Sequence, residues 1–312
     1  MMKITVFTQG ISPIVEPILN KYGIQEVVES GPRGASGKPA KPTRLEAFCV
    51  ERQIPYFWLV KNTRKDLVDF LRQRKPELGV VYSMSQLLPE EVLNLFPRGI
   101  INAHPSLLPA YRGPNPYFRM FYDGATETGI TIHYLDKGED TGDIILQEKI
   151  PIVRSANFDL YGLVKSRLGP LMLSALKQIE EGTVKRTQQP IMSPTSRAAN
   201  VTVDTVEELL SNLTLNLDDA AFFYRNTLRL LPLLQFGIRR QAGDWTVKRI
   251  IPDAQLLESK DVREWSRIYL TRHGFAVPHR DGWIVLKIRT TCLKFWMKVV
   301  RDCLWKLVGK SC

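Results

Sequence analysis

Asn102-Ala103-His104-Pro105-Ser106-Leu107-Leu108-Pro109 sets a carboxamide and an imidazole close together, and a carboxylate, Asp140, follows in Gly138-Glu139-Asp140-Thr141-Gly142-Asp143. A carboxamide N–H steadies an oxyanion without a change of charge, an imidazole titrates near neutrality, and a carboxylate can hold that imidazole. Set on two strand ends, the three groups could manage charge and protons in an acyl transfer. Read singly, each has a plainer role: an Asn beside a His is commonly structural, and an Asp in a Gly-rich turn is commonly a turn former. Ser106 lacks the G-x-S-x-G context of a nucleophile and reads as a turn residue. His133 alternates with inward strand positions and reads as packed. His273 and His279 flank a loop, and Cys49, Cys292, Cys303 and Cys312 contain no CxxC pair, so no metal site is expected and the thiols read as free.

The elements that must position these groups alternate between strand and helix. Residues 3–8 read as a buried first strand, followed by a helix to Tyr22; Gly31 to Pro42 is a Gly-, Pro- and Lys-rich loop; Thr43 caps a helix to Arg52. Residues 55–59 form a strand, 62–75 a helix, 78–83 a strand, 89–95 a helix, 99–103 a strand, 127–134 and 144–152 strands, and 158–181 a long helix ended by Gly182. This order predicts an α/β fold with a doubly wound, mainly parallel sheet, in which ligands sit at the carboxyl ends of strands. Asn102 and His104 lie at such an end. A dinucleotide site is disfavoured because no G-x-G-x-x-G follows the first strand.

The chain of 312 residues exceeds one typical domain. We divide it into a catalytic domain over 1–190, a linker over 191–204, a smaller C-terminal β-rich domain over 205–290 and a terminal amphipathic helix over 291–312. Helices are expected at 205–215 and 218–231, and strands at 245–251, 268–271, 275–278 and 283–288. The net charge of +11 falls entirely within 225–312, where 18 basic side chains face 7 acidic ones. Such a surplus suits a polyanionic partner, nucleic acid or an anionic membrane surface, and equally a basic soluble face. The tail places Lys294, Lys298, Arg301 and Lys306 among Phe295, Trp296, Val299, Leu304 and Trp305, a pattern for docking on the protein or for peripheral membrane contact. Without a signal peptide or an 18-residue apolar span the protein is expected in the cytoplasm, peripherally membrane-associated if the tail binds lipid.

Taken together, N-x-H-P-S-L-L-P-x-Y-R-G and H-Y-x-D-x-G-x-D-T-G-D-I resemble the signature of the 10-formyltetrahydrofolate-dependent formyltransferases, over about residues 1–190. That family includes methionyl-tRNA, glycinamide ribonucleotide and sugar N-formyltransferases. The resemblance implies a Rossmann-like formyltransferase domain, 10-formyltetrahydrofolate as formyl donor, and attack of an acceptor amine on the formyl carbon. Asn102 would then be the oxyanion donor, His104 the proton carrier, and Asp140 the group that holds the imidazole and favours its protonated form. It also implies folate contacts at Gln86, Leu87 and Leu88, at Ser106, Leu107, Leu108 and Pro109, and in the loop Asp136, Lys137, Gly138, Glu139. Tyr111, Arg112 and Asn115 are the substrate-binding candidates.

The acceptor is read from the surroundings. Gly31 to Pro42 resembles the basic loop of methionyl-tRNA formyltransferases, and a basic C-terminal region would meet tRNA phosphates. Residues 112–118 and 82–86 look more like enzymes that formylate amino sugars or other small amines. A small amine acceptor, an amino sugar, is placed first and methionyl-tRNA second. A third alternative is an inactive formyltransferase-fold module that docks nucleic acid or membrane.

Overall fold

The computed structural model describes residues 2–32, 35, 37–84, 86–153 and 158–200, and strands at 253–258, 269–271, 274–279 and 282–287. Five strands run parallel: β1 (Ile4–Thr8), β2 (Glu26–Ser30), β3 (Tyr56–Leu59), β4 (Leu78–Tyr82) and β5 (Ile100–His104). β6 (Glu127–Tyr134) lies antiparallel on β5, and β7 (Ile144–Pro151) antiparallel on β6. The sheet order is β3-β2-β1-β4-β5-β6-β7, so the chain winds outward from β1 to β3 and restarts at β4 on the other side of β1. This is the doubly wound, mainly parallel sheet that the alternation predicted.

Every residue of β1 and β4 is buried, as a sheet covered by helices on both faces requires. On one face Leu67, Val68 and Leu71 of α3 (Arg64–Arg74) and Val92 of α4 (Glu90–Leu93) pack with Phe7, Val28, Val81, Phe96 and Ile100. α1 (Val15–Tyr22) and α6 (Leu160–Glu181) approach each other where Gly169 faces Pro17, too close for a larger side chain without movement. Thr43 accepts the Glu46 amide at 2.9 Å and starts α2 (Arg44–Glu51), as read from the sequence. Cys49 is buried on α2, and burial pushes its thiol up to about 12, so it is a core residue without nucleophilic use.

Two elements of the seven-stranded sheet's half of the chain, β2 and α5 (Pro116–Tyr122), were not foreseen. β2 carries two glutamates in five residues, which suggests an exposed stretch, yet Glu26 and Glu29 are both buried. Donors from other segments make this tolerable: Glu26 accepts from the Thr5 hydroxyl, and Glu29 from the Gly10 amide and the Thr43 and Tyr56 hydroxyls. The other, α5, opens on a proline preorganised for a first turn.

The chain divides into two compact units: 1–113 with 127–151 and 162–197, and 114–126 with 152–161 and 198–312. Neither is a continuous stretch, and the first runs to Arg197. Within the second, β8 (Asp253–Glu258), β9 (Tyr269–Thr271), β10 (Gly274–His279) and β11 (Gly282–Lys287) form an antiparallel sheet in the order β8-β11-β10-β9. Three of these strands coincide with expected ones and β8 was not foreseen. The strand at 245–251, the helices at 205–215 and 218–231 and the tail helix lie outside the described residues. Among the described residues no helix is long and apolar enough to cross a membrane.

Candidate active site

β5 ends at His104, so the first turn beyond the strand decides what the imidazole meets. His104 is 5% exposed. Its Nε2–H donates to the carbonyl of Tyr111 at 2.9 Å, and its Nδ1 faces Oδ2 of Asp140 at 3.5 Å. Both neighbours are acceptors, so a ring carrying a proton on each nitrogen meets both. The same Oδ2 of Asp140 accepts the Gly113 amide at 2.9 Å, tying the two motifs together. Tyr111 and Asp140 both adopt left-handed backbone, with φ of 60° and 55°. Such conformations are costly for a residue with a Cβ and cluster at functional sites.

Asn102 sits across the β5–β6 ladder from His133, and its Nδ2 lies 3.1 Å from His133 Nε2. His133 donates from Nδ1 to the carbonyl of Tyr134 at 2.8 Å, so Nε2 is the accepting nitrogen and the carboxamide nitrogen the donor. One N–H of Asn102 is thus spent on orientation and the second remains for a ligand oxygen. The arrangement requires a neutral His133, and burial holds its pKa below the ordinary imidazole range, with Asp140 opposing the shift. Asp140 Oδ1 lies 3.7 Å from the same Nε2. His133 is therefore packed, as the alternation implied, and also belongs to the site. The missed signal was its place opposite Asn102 in the antiparallel pair.

Asn102, His104 and Asp140 are brought together; the other predicted residues divide. Ser106 is fully buried, and its hydroxyl donates to the Ala110 carbonyl at 2.6 Å, which makes it the turn residue that its context suggested. Leu108 is buried with its amide on Thr131 Oγ1, while Leu107 and Pro109 are half-buried. Leu87 is 74% exposed, and Leu88 packs against the apolar core cluster. Gln86 donates to the Leu59 carbonyl at 3.0 Å while its Oε1 is buried without a partner. In the Asp136–Asp140 loop, Asp136 Oδ1 accepts from the Gly138 amide and the Thr141 hydroxyl, Lys137 pairs with Glu90, and Glu139 pairs with Arg197. Gly142 closes this loop: a Cβ there would lie 2.0 Å from the Tyr134 carbonyl oxygen.

The substrate-binding candidates fare differently. Arg112 is buried, and its guanidinium is directed at Gln189 Oε1 (Nη2, 2.8 Å) and at the carbonyls of Pro190 and Ile191 (2.8 and 3.0 Å). It is held within the protein instead of being presented to a ligand, because the apolar stem must be buried and the fork finds its acceptors there. Asn115 lies in the second unit, where its backbone N–H donates to the Ala198 carbonyl at 3.0 Å and its side-chain Nδ2 to the Ala199 carbonyl at 3.4 Å. Tyr111 contributes its carbonyl to His104 and its amide to Thr195 Oγ1 at 2.7 Å.

At the carboxyl ends of β1, β2 and β3, on the same edge of the sheet as His104, a cavity of about 510 Å³ is walled by Gly10, Ser30, Pro39 and Trp58, with Glu29 among its lining. That is the edge where an open α/β sheet takes its ligands.

Residues 31–162 match the model of the family described as formyl transferase. The chain is 36% identical over 197 residues to a methionyl-tRNA formyltransferase of Syntrophus aciditrophicus, covering 61% of this chain and 63% of the relative. It thus spans less than two thirds of that relative's length. In three dimensions it is similar to an N-formyltransferase from Helicobacter canadensis in complex with folinic acid and dTDP-3-aminofucose: the TM-score is 0.56 at 18% identity, over 93% of this chain and 100% of the other. A glycinamide ribonucleotide transformylase from Symbiobacterium toebii gives a TM-score of 0.51 at 21% identity, over 60% and 95%. These likenesses establish the formyltransferase fold.

Proposed function

We propose that the protein is an N-formyltransferase that moves the formyl group of 10-formyltetrahydrofolate to a primary amine. The observation that carries this reading is the grouping of His104, Asp140 and Asn102 at the end of β5, inside the span that matches the formyl transferase family model. The donor supplies an activated acyl group. Gln86 with its unpartnered buried Oε1, the exposed Leu87, and the Asp136–Asp140 loop are the residues that would hold it, a polar edge beside an apolar surface suited to a flat heterocycle.

The protein's own groups divide the work. Asn102, fixed by neutral His133, directs its second N–H at the acyl oxygen as negative charge develops there. The Asp140–His104 pair takes the proton of the attacking amine and passes it on to the leaving nitrogen. The resulting imidazolium has an acceptor at each nitrogen, Tyr111 and Asp140, so charge at this stage is matched without rearrangement.

For the acceptor, the methionyl-tRNA formyltransferases among the relatives favour methionyl-tRNA, which reverses the order read from residues 82–86 and 112–118. An amino sugar is the second reading, favoured by the fold shared over 93% of the chain with the H. canadensis enzyme. Incubating the full chain with 10-formyltetrahydrofolate and either methionyl initiator tRNA or nucleotide-linked amino sugars separates the two by the product formed. His104→Ala and Asp140→Asn should each remove formyl transfer by a factor of about 10²–10⁴. Undiminished turnover of either variant would overturn the assigned roles.

A further inference from the structure

Residues 189–197, beyond the long helix α6, run back across both sequence motifs of the site. Gln189 is 7% exposed and donates from Nε2 to the carbonyls of Asp140 (3.0 Å) and Gly142 (2.7 Å). Its Oε1 accepts from the Arg112 guanidinium. Ser193 Oγ donates to the Pro109 carbonyl at 2.8 Å, Thr195 Oγ1 accepts the Tyr111 amide at 2.7 Å, and Arg197 pairs with Glu139. Both residues that grip His104, Tyr111 by its carbonyl and Asp140 by its carboxylate, stand in left-handed backbone. A non-glycine residue holds that conformation only when its surroundings over-determine it. Here each is held by one side chain of the same segment: Asp140 by Gln189, Tyr111 by Thr195.

We propose that residues 189–197 are a strap that positions the imidazole of His104, with Gln189 and Thr195 as its two positioning residues. Neither side chain needs to touch a substrate. Gln189 holds the carbonyl of Asp140 and thereby aims its carboxylate at Nδ1; Thr195 holds the amide of Tyr111 and thereby aims its carbonyl at Nε2. Arg112, the conspicuous charge of the first motif, anchors the strap by gripping Gln189, Pro190 and Ile191. Relaxation of either left-handed residue would swing one acceptor away from the ring, and small misplacements of a proton-handling group are costly in rate.

The inference rests on the formyl-transfer reading for its activity test and on histidine spectroscopy for an independent one. Thr195→Val is isosteric and removes the hydroxyl; Thr195→Ser restores it. Gln189→Glu keeps the acceptor facing Arg112 and removes the N–H donors to Asp140 and Gly142. In the full-length protein, Thr195→Val and Gln189→Glu should lower kcat by about tenfold or more with KM for 10-formyltetrahydrofolate unchanged, and Thr195→Ser should recover the rate. In ¹⁵N-histidine-labelled protein, the Nε2–H resonance of His104, assigned by its loss in His104→Gln, should shift or broaden in Thr195→Val and return in Thr195→Ser. A wild-type protein without formyl transfer would refute the activity reading alone and leave the spectral comparison to decide the strap. Unchanged kcat and an unchanged His104 resonance in both Thr195→Val and Gln189→Glu would overturn the strap, as would a loss in Thr195→Ser equal to that in Thr195→Val.

Discussion

Arg112→Met replaces the guanidinium with an apolar chain of similar length, and separates a substrate-binding role from an internal one. The residue is 8% exposed, and its fork meets Gln189 Oε1 and the carbonyls of Pro190 and Ile191. Gln189 is the buried partner, and leaving its Oε1 without a donor costs about 1–3 kcal/mol. Pro190 and Ile191 are exposed, so their carbonyls recover water and add about 0.5–1 kcal/mol each. The total is about 3 kcal/mol. For a domain of about 150–250 residues that lowers Tm by roughly 6–12 °C. Thermal unfolding followed by circular dichroism in the absence of any substrate reads this directly. Arg112→Lys keeps a charge but cannot reproduce the planar fork, and should recover less than half of the loss. A Met variant with unchanged Tm and a raised KM for the acceptor would refute the internal role and return Arg112 to the substrate.

Other expected outcomes test neighbouring parts of the site. Because burial lowers the pKa of His133, the unfolded chain binds the extra proton first as pH falls below about 6.5; unfolding free energy should therefore drop with falling pH, by up to about 1.4 kcal/mol per unit. His133→Leu should remove that part of the slope, and a wild-type-like pH dependence of its stability would contradict the neutral imidazole. Asn102→Ala should lower kcat by about 10²–10³ with little change in donor KM, as for loss of one oxyanion donor, and a KM effect alone would show that the carboxamide only binds. Gly142→Ala places a methyl where the Tyr134 carbonyl lies 2.0 Å away, and should displace the Asp140 loop and reduce stability and turnover together, checked by urea unfolding beside the kinetic assay.

Much of the first unit was legible because its signals are local. The apolar run of β1, the Thr43 cap and the strands of 78–82, 100–104 and 127–134 follow from periodicity and turn chemistry in short windows. The Asn102, His104 and Asp140 set was legible because its residue types imply their chemistry and its motifs are family-specific. β2 was missed because its glutamates look solvent-facing, and only tertiary donors, Thr5 to Glu26 and Gly10, Thr43 and Tyr56 to Glu29, make their burial tolerable.

The residue types and their order determined the sheet and singled out Asn102, His104 and Asp140 as the candidate groups at the end of β5. The tertiary structure decided which atoms they present. It set His133 behind Asn102 across the β5–β6 ladder, turned both nitrogens of His104 toward oxygens, and drew Arg112 away from the ligand side into the strap of residues 189–197. The reason is physical: strand register and left-handed turns bring together groups from distant segments, and a hydrogen bond forms only where those groups meet. Gln189 follows Asp140 by 49 residues, and no local pattern in the chain ties one to the other.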